Sequence, residues 1–304
     1  MIHLAPGNPV DYLLGMQPYS IDPESYLQYV TMISEKFGLD KPLHEQLLIY
    51  IGQVLTGNLG YSVTTYTYEP VLELIIEKML NTLLLMGSSL AIACIGGIVL
   101  GVLASKKPYS IIDNVVTVIS TIGFSIPIAW LGQIAMLVFA LYLGWFPVGG
   151  AVTLTMGIPT IGELIGLLHH LILPAFTFAT IYLAVITRVT RASMLEVLGS
   201  DYILTARAKG LPENAILYKH ALRNALLPVV SVIGVQLSVM IGGSVVVESV
   251  FSWPGLGRLL FMSVTRRDYP VIMGIFVFMG LSVIVVTLIV DLFYAVLDPR
   301  IRYK

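Results

Sequence analysis

Five windows of the chain, Thr82 to Ala104, Val115 to Leu143, Leu171 to Thr187, Leu226 to Val247 and Val271 to Val290, contain no Asp, Glu, Lys, Arg or His. Each meets or exceeds the roughly 17 residues that a helix needs to cross hydrocarbon. A helix is the form that satisfies its own backbone polar groups in lipid, so the chain is read as an all-α polytopic membrane protein with five visible transmembrane helices. Composition agrees: 57% of the residues are hydrophobic and only 12% charged, against about 25% charged in soluble domains. The second window contains Gly123 and Pro127, which predicts a helix that is kinked, tilted or partly buried against its neighbours.

Basic residues avoid translocation, and this sets an orientation. With the C-terminus in the cytoplasm, Lys106, Lys107, Arg188, Arg191, Arg207, Lys209, Lys219, Arg223, Arg300, Arg302 and Lys304 share the inner side, while Gly144 to His170 on the outer side has no Lys or Arg. The domain division that follows is an extracytoplasmic segment over residues 1–81 and a transmembrane domain over 82–304, with a cytoplasmic loop over 188–225. The first segment shows short helical patches at Pro23 to Phe37 and Pro42 to Leu55 and no signal peptide. Cys94 stands alone in an apolar window, so one chain can form neither a disulfide nor a thiolate cluster.

Arg188 to Ala225 breaks the apolar pattern with six bases and three acids. Those charges alternate with apolar residues, unlike the stripe that binds nucleic acid, and fit lipid headgroups or an acidic partner groove better. Ser200 or Asp201 is an N-cap, Tyr202 to Lys209 favours helix, and Gly210 with Pro212 supplies a stop. Pro212 then opens a second helix expected to run through Asn224 and end near Pro228. Ala206, Ala208 and Gly210 leave part of the short helix nearly bare, which permits close approach by another protein. The plain alternative is a solvated loop that only holds the topology; its length, caps and small residues favour docking.

The windows carry no ionisable group, so they lack the groups by which ion-coupled carriers work. The chain also has no Gly-Lys dipeptide, hence no phosphate-binding loop of the Walker type. Energy for any transport therefore comes from another subunit. A path would have to be lined by neutral residues: Ser120, Thr121, Ser125 and Gln133 around Pro127, with Gln236 and Ser238 in the fourth window and Gly242 and Gly243 for close packing. For any single one of these side chains, helix-to-helix hydrogen bonding is the more common role. Glu248 and Asp291, at window ends, are read as interfacial anchors. No catalytic or metal site is read: His169 and His170 are adjacent and point to different faces, and Gly123-Phe-Ser125 lacks the following Gly of a nucleophile elbow. An intramembrane hydrolase and an anchoring scaffold are the rival classes.

Several segments together resemble the permease subunits of ABC importers in the dipeptide, oligopeptide and nickel branch. They are Arg191-Ala-Ser-Met-Leu-Glu196, Asp201-Tyr202, Thr205-Ala-Arg-Ala-Lys-Gly-Leu211, His220-Ala-Leu-Arg-Asn-Ala-Leu-Leu-Pro228, Phe146-Pro-Val-Gly149, Glu248-Ser-Val-Phe-Ser-Trp-Pro-Gly-Leu-Gly257, Arg267-Asp-Tyr-Pro270 and Asp298-Pro-Arg300. Of the general permease signature only Ala206, Gly210 and Leu222 match. The branch usually has a first membrane helix, six in all, ahead of a segment like Leu4-Ala-Pro-Gly-Asn-Pro9, and that helix is not seen here.

The resemblance implies a type I importer fold and a subunit that is not itself an enzyme. It implies ATPase coupling through Asp201, Thr205, Ala206, Arg207, Ala208, Lys209, Gly210, His220 and Arg223. No cofactor binds this chain, and ATP and Mg belong to partner subunits. The implied partners are a homologous second permease in a heterodimer, two ABC ATPase subunits, an extracytoplasmic substrate-binding protein and membrane lipids, with no nucleic acid. The setting is a prokaryotic inner or plasma membrane, the mechanism ATP-driven alternating access, and the cargo peptides, with oligosaccharides or nickel complexes as alternatives.

Overall fold

The computed structural model describes residues 31, 41–66, 68–151 and 160–297. The early helical patch at Pro23 to Phe37 apart from Thr31, the Leu4 to Pro9 segment and Asp298 to Lys304 lie outside the described residues. Among the described residues the α-helices run in order: α1 Leu43–Leu55, α2 Val71–Ser105, α3 Ile111–Ser125, α4 Ile128–Ala135 with a π-helical extension Met136–Tyr142, α5 Ile161–Leu198, α6 Asp201–Ala208, α7 Glu213–Ala215, a π-helical stretch Ile216–Ala221, α8 Leu222–Val250, α9 Leu256–Arg266 and α10 Tyr269–Leu297. Among the described residues there is no strand, only a single bridge between Tyr61 and Pro70. Among the described residues four helical stretches are long and apolar enough to cross a membrane, or five if the bent pair α3 and α4 is counted as one span.

The helices overrun the charge-free windows. Helix α2 begins at Val71 and includes Glu73, Glu77 and Lys78, and α5 extends from Ile161 to Leu198, well past Leu171 to Thr187. Charges end a hydrophobic window without ending a helix, since Glu, Lys and Arg are good helix formers. The start of α5 is fixed by a capping box: Thr160 Oγ1 accepts from the Glu163 amide while the Glu163 carboxylate accepts from the Thr160 amide.

The second window is more than kinked. Helices α3 and α4 meet at 104°. Proline disfavours the helical region for the residue before it, and Ile126 is extended, with ψ 128°, ahead of Pro127. The helix predicted to end near Pro228 continues instead, through the π-helical stretch and Pro228, to Val250. Proline within a membrane helix is tolerated because neighbouring helices and local backbone adjustment re-satisfy the freed groups.

Two compact units emerge: residues 1–81 with 255–280, and 82–254 with 281–304. In the first, Ser62 is fully buried and Asp268 lies at the turn between α9 and α10. The Asp268 carboxylate accepts from Ser62 Oγ at 2.6 Å and from the amides of Val63, Thr64 and Thr65 at 3.2, 3.1 and 2.9 Å. This clasp holds Arg267 left-handed at φ 58°, a conformation costing a non-glycine residue roughly 1 kcal/mol.

The second unit is built on a core in which Phe178, Ala179, Tyr182 and Ile186 of α5 pack with Leu85 and Ala93 of α2 and Val229, Met240 and Val247 of α8. Ala93, Gly97, Gly101 and Ser105 recur every four residues and are all buried, so α2 presents a nearly flat strip. A Cβ on Gly97 would stand 2.8 Å from Ile186, and one on Gly101 would stand 2.5 Å from Thr190 Cβ and 2.8 Å from the Thr187 carbonyl oxygen. Small residues at this spacing let helix backbones approach closely.

Candidate functional site

Helix α6 is seated rather than floating. Ser200 occupies its N-cap position in extended geometry, but its hydroxyl donates to the Val197 carbonyl at 2.6 Å instead of capping. Asp201 in the first turn and Arg207 in the last complement the helix dipole. The end is a Schellman motif: Gly210 has φ 74°, its amide donates to Arg207 O at 2.9 Å, and the Leu211 amide reaches Ala206 O at 3.4 Å.

Ile203 and Ala206 are buried with Val102 of α2, Met194 of α5, Ile216, Leu217 and Ala221 of the π-helical stretch and Ala225 of α8. The Asn224 amide donates to Tyr202 Oη at 2.8 Å and adds a polar tie. Ala206 therefore belongs to the socket and is not part of a bare outer face; its small side chain serves close packing inward. The exposed face consists of Asp201, Thr205, Arg207, Ala208, Lys209 and Gly210 with Tyr202 and Leu204. Arg207 pairs with Glu213 at 3.1 Å across the turn, both well exposed. His220 of the π-helical stretch is half-buried and Arg223 at the start of α8 is exposed.

The neutral residues suggested for a path are only partly brought together. Thr121, Ile122, Ser125, Ile126, Pro127 and Trp130 line an open groove of about 580 Å³ at the α3–α4 break. Ser120 is 3% exposed and faces the interior. Gln133 is exposed and Gln236 half-buried, and neither lines the groove. The side chain of Ser238 is outside the described residues.

Three buried acids carry structure that the windows hid. Glu248, read as an interfacial anchor, is fully buried and accepts from Thr82 Oγ1 at 2.9 Å; a helix-end glutamate needs water only when no donor reaches it. Asp268 sits in its amide clasp. Asp113, 1% exposed, opens α3 and receives a two-pronged contact from Arg191 of α5: Nε to Oδ1 at 2.5 Å and an Nη to Oδ2 at 2.7 Å. The Tyr109 amide donates to the same carboxylate at 2.8 Å and Thr117 Oγ1 at 3.4 Å.

The signal for Asp113 was in the sequence as a polar stripe, Asp113, Thr117, Thr121 and Ser125, every fourth residue on one helix face. A window defined by the absence of charge necessarily stops short of it. Among the described residues no group of three His, Cys, Asp or Glu could hold a metal. His169 Nε2 is 2.7 Å from Trp145 O and His170 Nδ1 is 2.8 Å from Gly166 O, so each ring is engaged by a backbone carbonyl acceptor.

Comparison with known proteins accounts for these features together. Residues 97–303 match the family described as binding-protein-dependent transport system inner membrane component. An oligopeptide transport system permease protein of Bacillus subtilis, AppB, is 46% identical over 98% of this chain and 91% of its own. A di/tripeptide transport system permease protein of Pseudomonas aeruginosa, DppB, is 40% identical over 100% and 92%. Among solved structures, an inward-facing MetNI methionine ABC transporter aligns with a TM-score of 0.61 at 20% identity, covering 76% of this chain and 99% of that one, which speaks to fold alone. A bundle of apolar helices, a short seated helix at Asp201 and relatives matched over nearly their whole length agree: the chain belongs to the family of binding-protein-dependent transport system inner membrane components, as a multi-pass permease of an ABC importer.

Proposed function

We propose that this permease forms half of a path for peptides, pairing with a homologous second permease above two ATPase subunits that bind ATP and Mg, and receiving cargo from an extracytoplasmic binding protein. The observation that carries the coupling is α6, whose inner face is locked into its own subunit while Asp201, Thr205, Arg207, Ala208 and Lys209 remain outward. A helix held in this way can transmit a push without being deformed by it. The peptide cargo is supported by the names of the oligopeptide and di/tripeptide relatives.

In this reading the C-terminus is cytoplasmic and the subunit sits in a cell or inner membrane among lipids that contact its basic residues. Residues 1–81, 144–170 and 249–270 meet the binding protein. Ser125, Pro127, Gln133, Gln236 and Ser238 border the path, whereas Ser120 braces α3 from within. ATP-driven closure moves α6, and helix groups rock to alternate access.

The test is Gly210→Val in the complete transporter in proteoliposomes. Val has open space there but a β-branched residue does not tolerate φ 74°, so the Schellman end is lost and α6 is mispointed. Expected is normal membrane accumulation with loss of the ATP hydrolysis that loaded binding protein stimulates. Equal stimulation in variant and wild type would refute the docking role.

A further inference from the structure

Helix α5 runs unbroken from Ile161 to Leu198, and only Gly199 and Ser200 separate it from α6. Met194 of α5 is in the same buried cluster as Ile203 and Ala206 of α6, so the two move as one body. Arg191 lies one turn before Met194, and its guanidinium is the group that grips Asp113 at the first turn of α3. From Asp113 a polar line continues along α3: Thr117 donates to its carboxylate, Thr121 Oγ1 to Thr117 O at 2.8 Å and Ser125 Oγ to Thr121 O at 2.9 Å. Thr121 and Ser125 line the groove at the α3–α4 break.

We infer that the Asp113–Arg191 pair is the joint that carries displacement of α6 to the groove, so that Asp113 and Arg191 are positioning residues for transport. This rests on α6 being the seat of the ATPase, as proposed above. Two helices could be held together by apolar packing alone, and a buried ion pair contributes little net adhesion once its desolvation is counted. A two-pronged guanidinium–carboxylate contact adds geometry: it fixes the angle and register of the two helices at once. Elsewhere α3 meets α5 through softer contacts, the Arg188 guanidinium 4.6 Å from the Phe124 ring centre and Gly123 beside Thr180. Loss of the pair leaves α3 in place and lets it slip.

The experiment uses the complete transporter in proteoliposomes, with a labelled tripeptide as probe and uptake per ATP hydrolysed as readout. Arg191→Lys keeps a charge beside Asp113 and loses the planar fork; Asp113→Asn removes the charge. Both are expected to retain the ATPase subunits and to hydrolyse ATP, while peptide moved per ATP falls about tenfold, within the usual range of coupling between sites. The exchange D113R with R191D is expected to recover most of the loss.

Wild-type uptake per ATP in Arg191→Lys or Asp113→Asn, with ATPase bound, overturns the inference and leaves the docking role of α6 standing. Failure of both single variants to accumulate while the exchange accumulates also overturns it, in favour of a purely architectural pair. If the wild-type chain itself retains no ATPase subunit, the underlying reading fails instead.

Discussion

Asp268 and Asp113 are both buried carboxylates, and they are satisfied by opposite means. Asp268 faces three consecutive amides and a serine hydroxyl from residues 62–65, all donated by one short stretch of chain. Asp113 faces a guanidinium from a residue 78 positions away. Amides aimed at one oxygen are fixed by the backbone fold and release it only if the loop unfolds. A guanidinium reaches across from another helix, and its two-pronged contact ties the two helices at one angle and register. The first arrangement keeps one loop rigid, the second makes two separate helices move together.

The largest effect is expected from the rigid arrangement. Asp268→Ala strips the acceptor from four donors, and Ser62 is fully buried. With hydrogen bonds to a charged group contributing about 1.5–3 kcal/mol each and partial rehydration of the amides, a net loss of about 3 kcal/mol or more is expected. Thermal unfolding in detergent and protease cleavage near residues 61–70 would report it. A wild-type melting temperature would mean the clasp is incidental, and the contrast with Asp113 would collapse.

Next is a steric probe of the same helix that carries Arg191. Gly101→Ala places a Cβ 2.5 Å from Thr190 and 2.8 Å from the Thr187 carbonyl, so α2 and α5 must separate at a point where neither atom is the end of a flexible chain. A loss of about 1–3 kcal/mol is expected from overpacking of this kind, read as a lowered melting temperature with the α5–α3 pair intact. If Gly101→Ala instead lowers uptake per ATP without changing stability, the joint on α5 is steric as well as ionic, which sharpens the comparison.

Apolar windows carried the architecture well because hydrocarbon imposes one requirement on every span, and α10 and α2 were legible almost by length alone. The short helix at Asp201 was legible too, from its cap residues and Gly210. What the windows could not carry was anything decided by partners distant in sequence. Ala206 read as bare surface because its inward neighbours, Val102 and Met194, come from two other helices. Glu248 read as wet because Thr82 is 166 residues away. Pro228 read as a stop because a propensity rule has no term for neighbouring helices, while Pro127 broke α3 because extended geometry at Ile126 needs no neighbour at all.

The smallest effect belongs to another ion pair, Arg207 with Glu213, which resembles the Asp113–Arg191 pair on paper and differs in burial. Its side chains are 43% and 72% exposed, against 26% and 2% for Arg191 and Asp113. Water already solvates both charges, so the contact replaces good hydration with little gain, and Glu213→Gln should change stability by no more than about 0.5 kcal/mol. Because Glu213 lies just beyond α6, the same variant frees Arg207 to face a bound ATPase. Unchanged melting temperature together with a change in how tightly the ATPase subunits co-purify, strongest at low salt, is the expected result. A loss of stability as large as that of Asp268→Ala would show that exposure does not separate the pairs, and that the contrast between the two buried carboxylates needs a different physical basis.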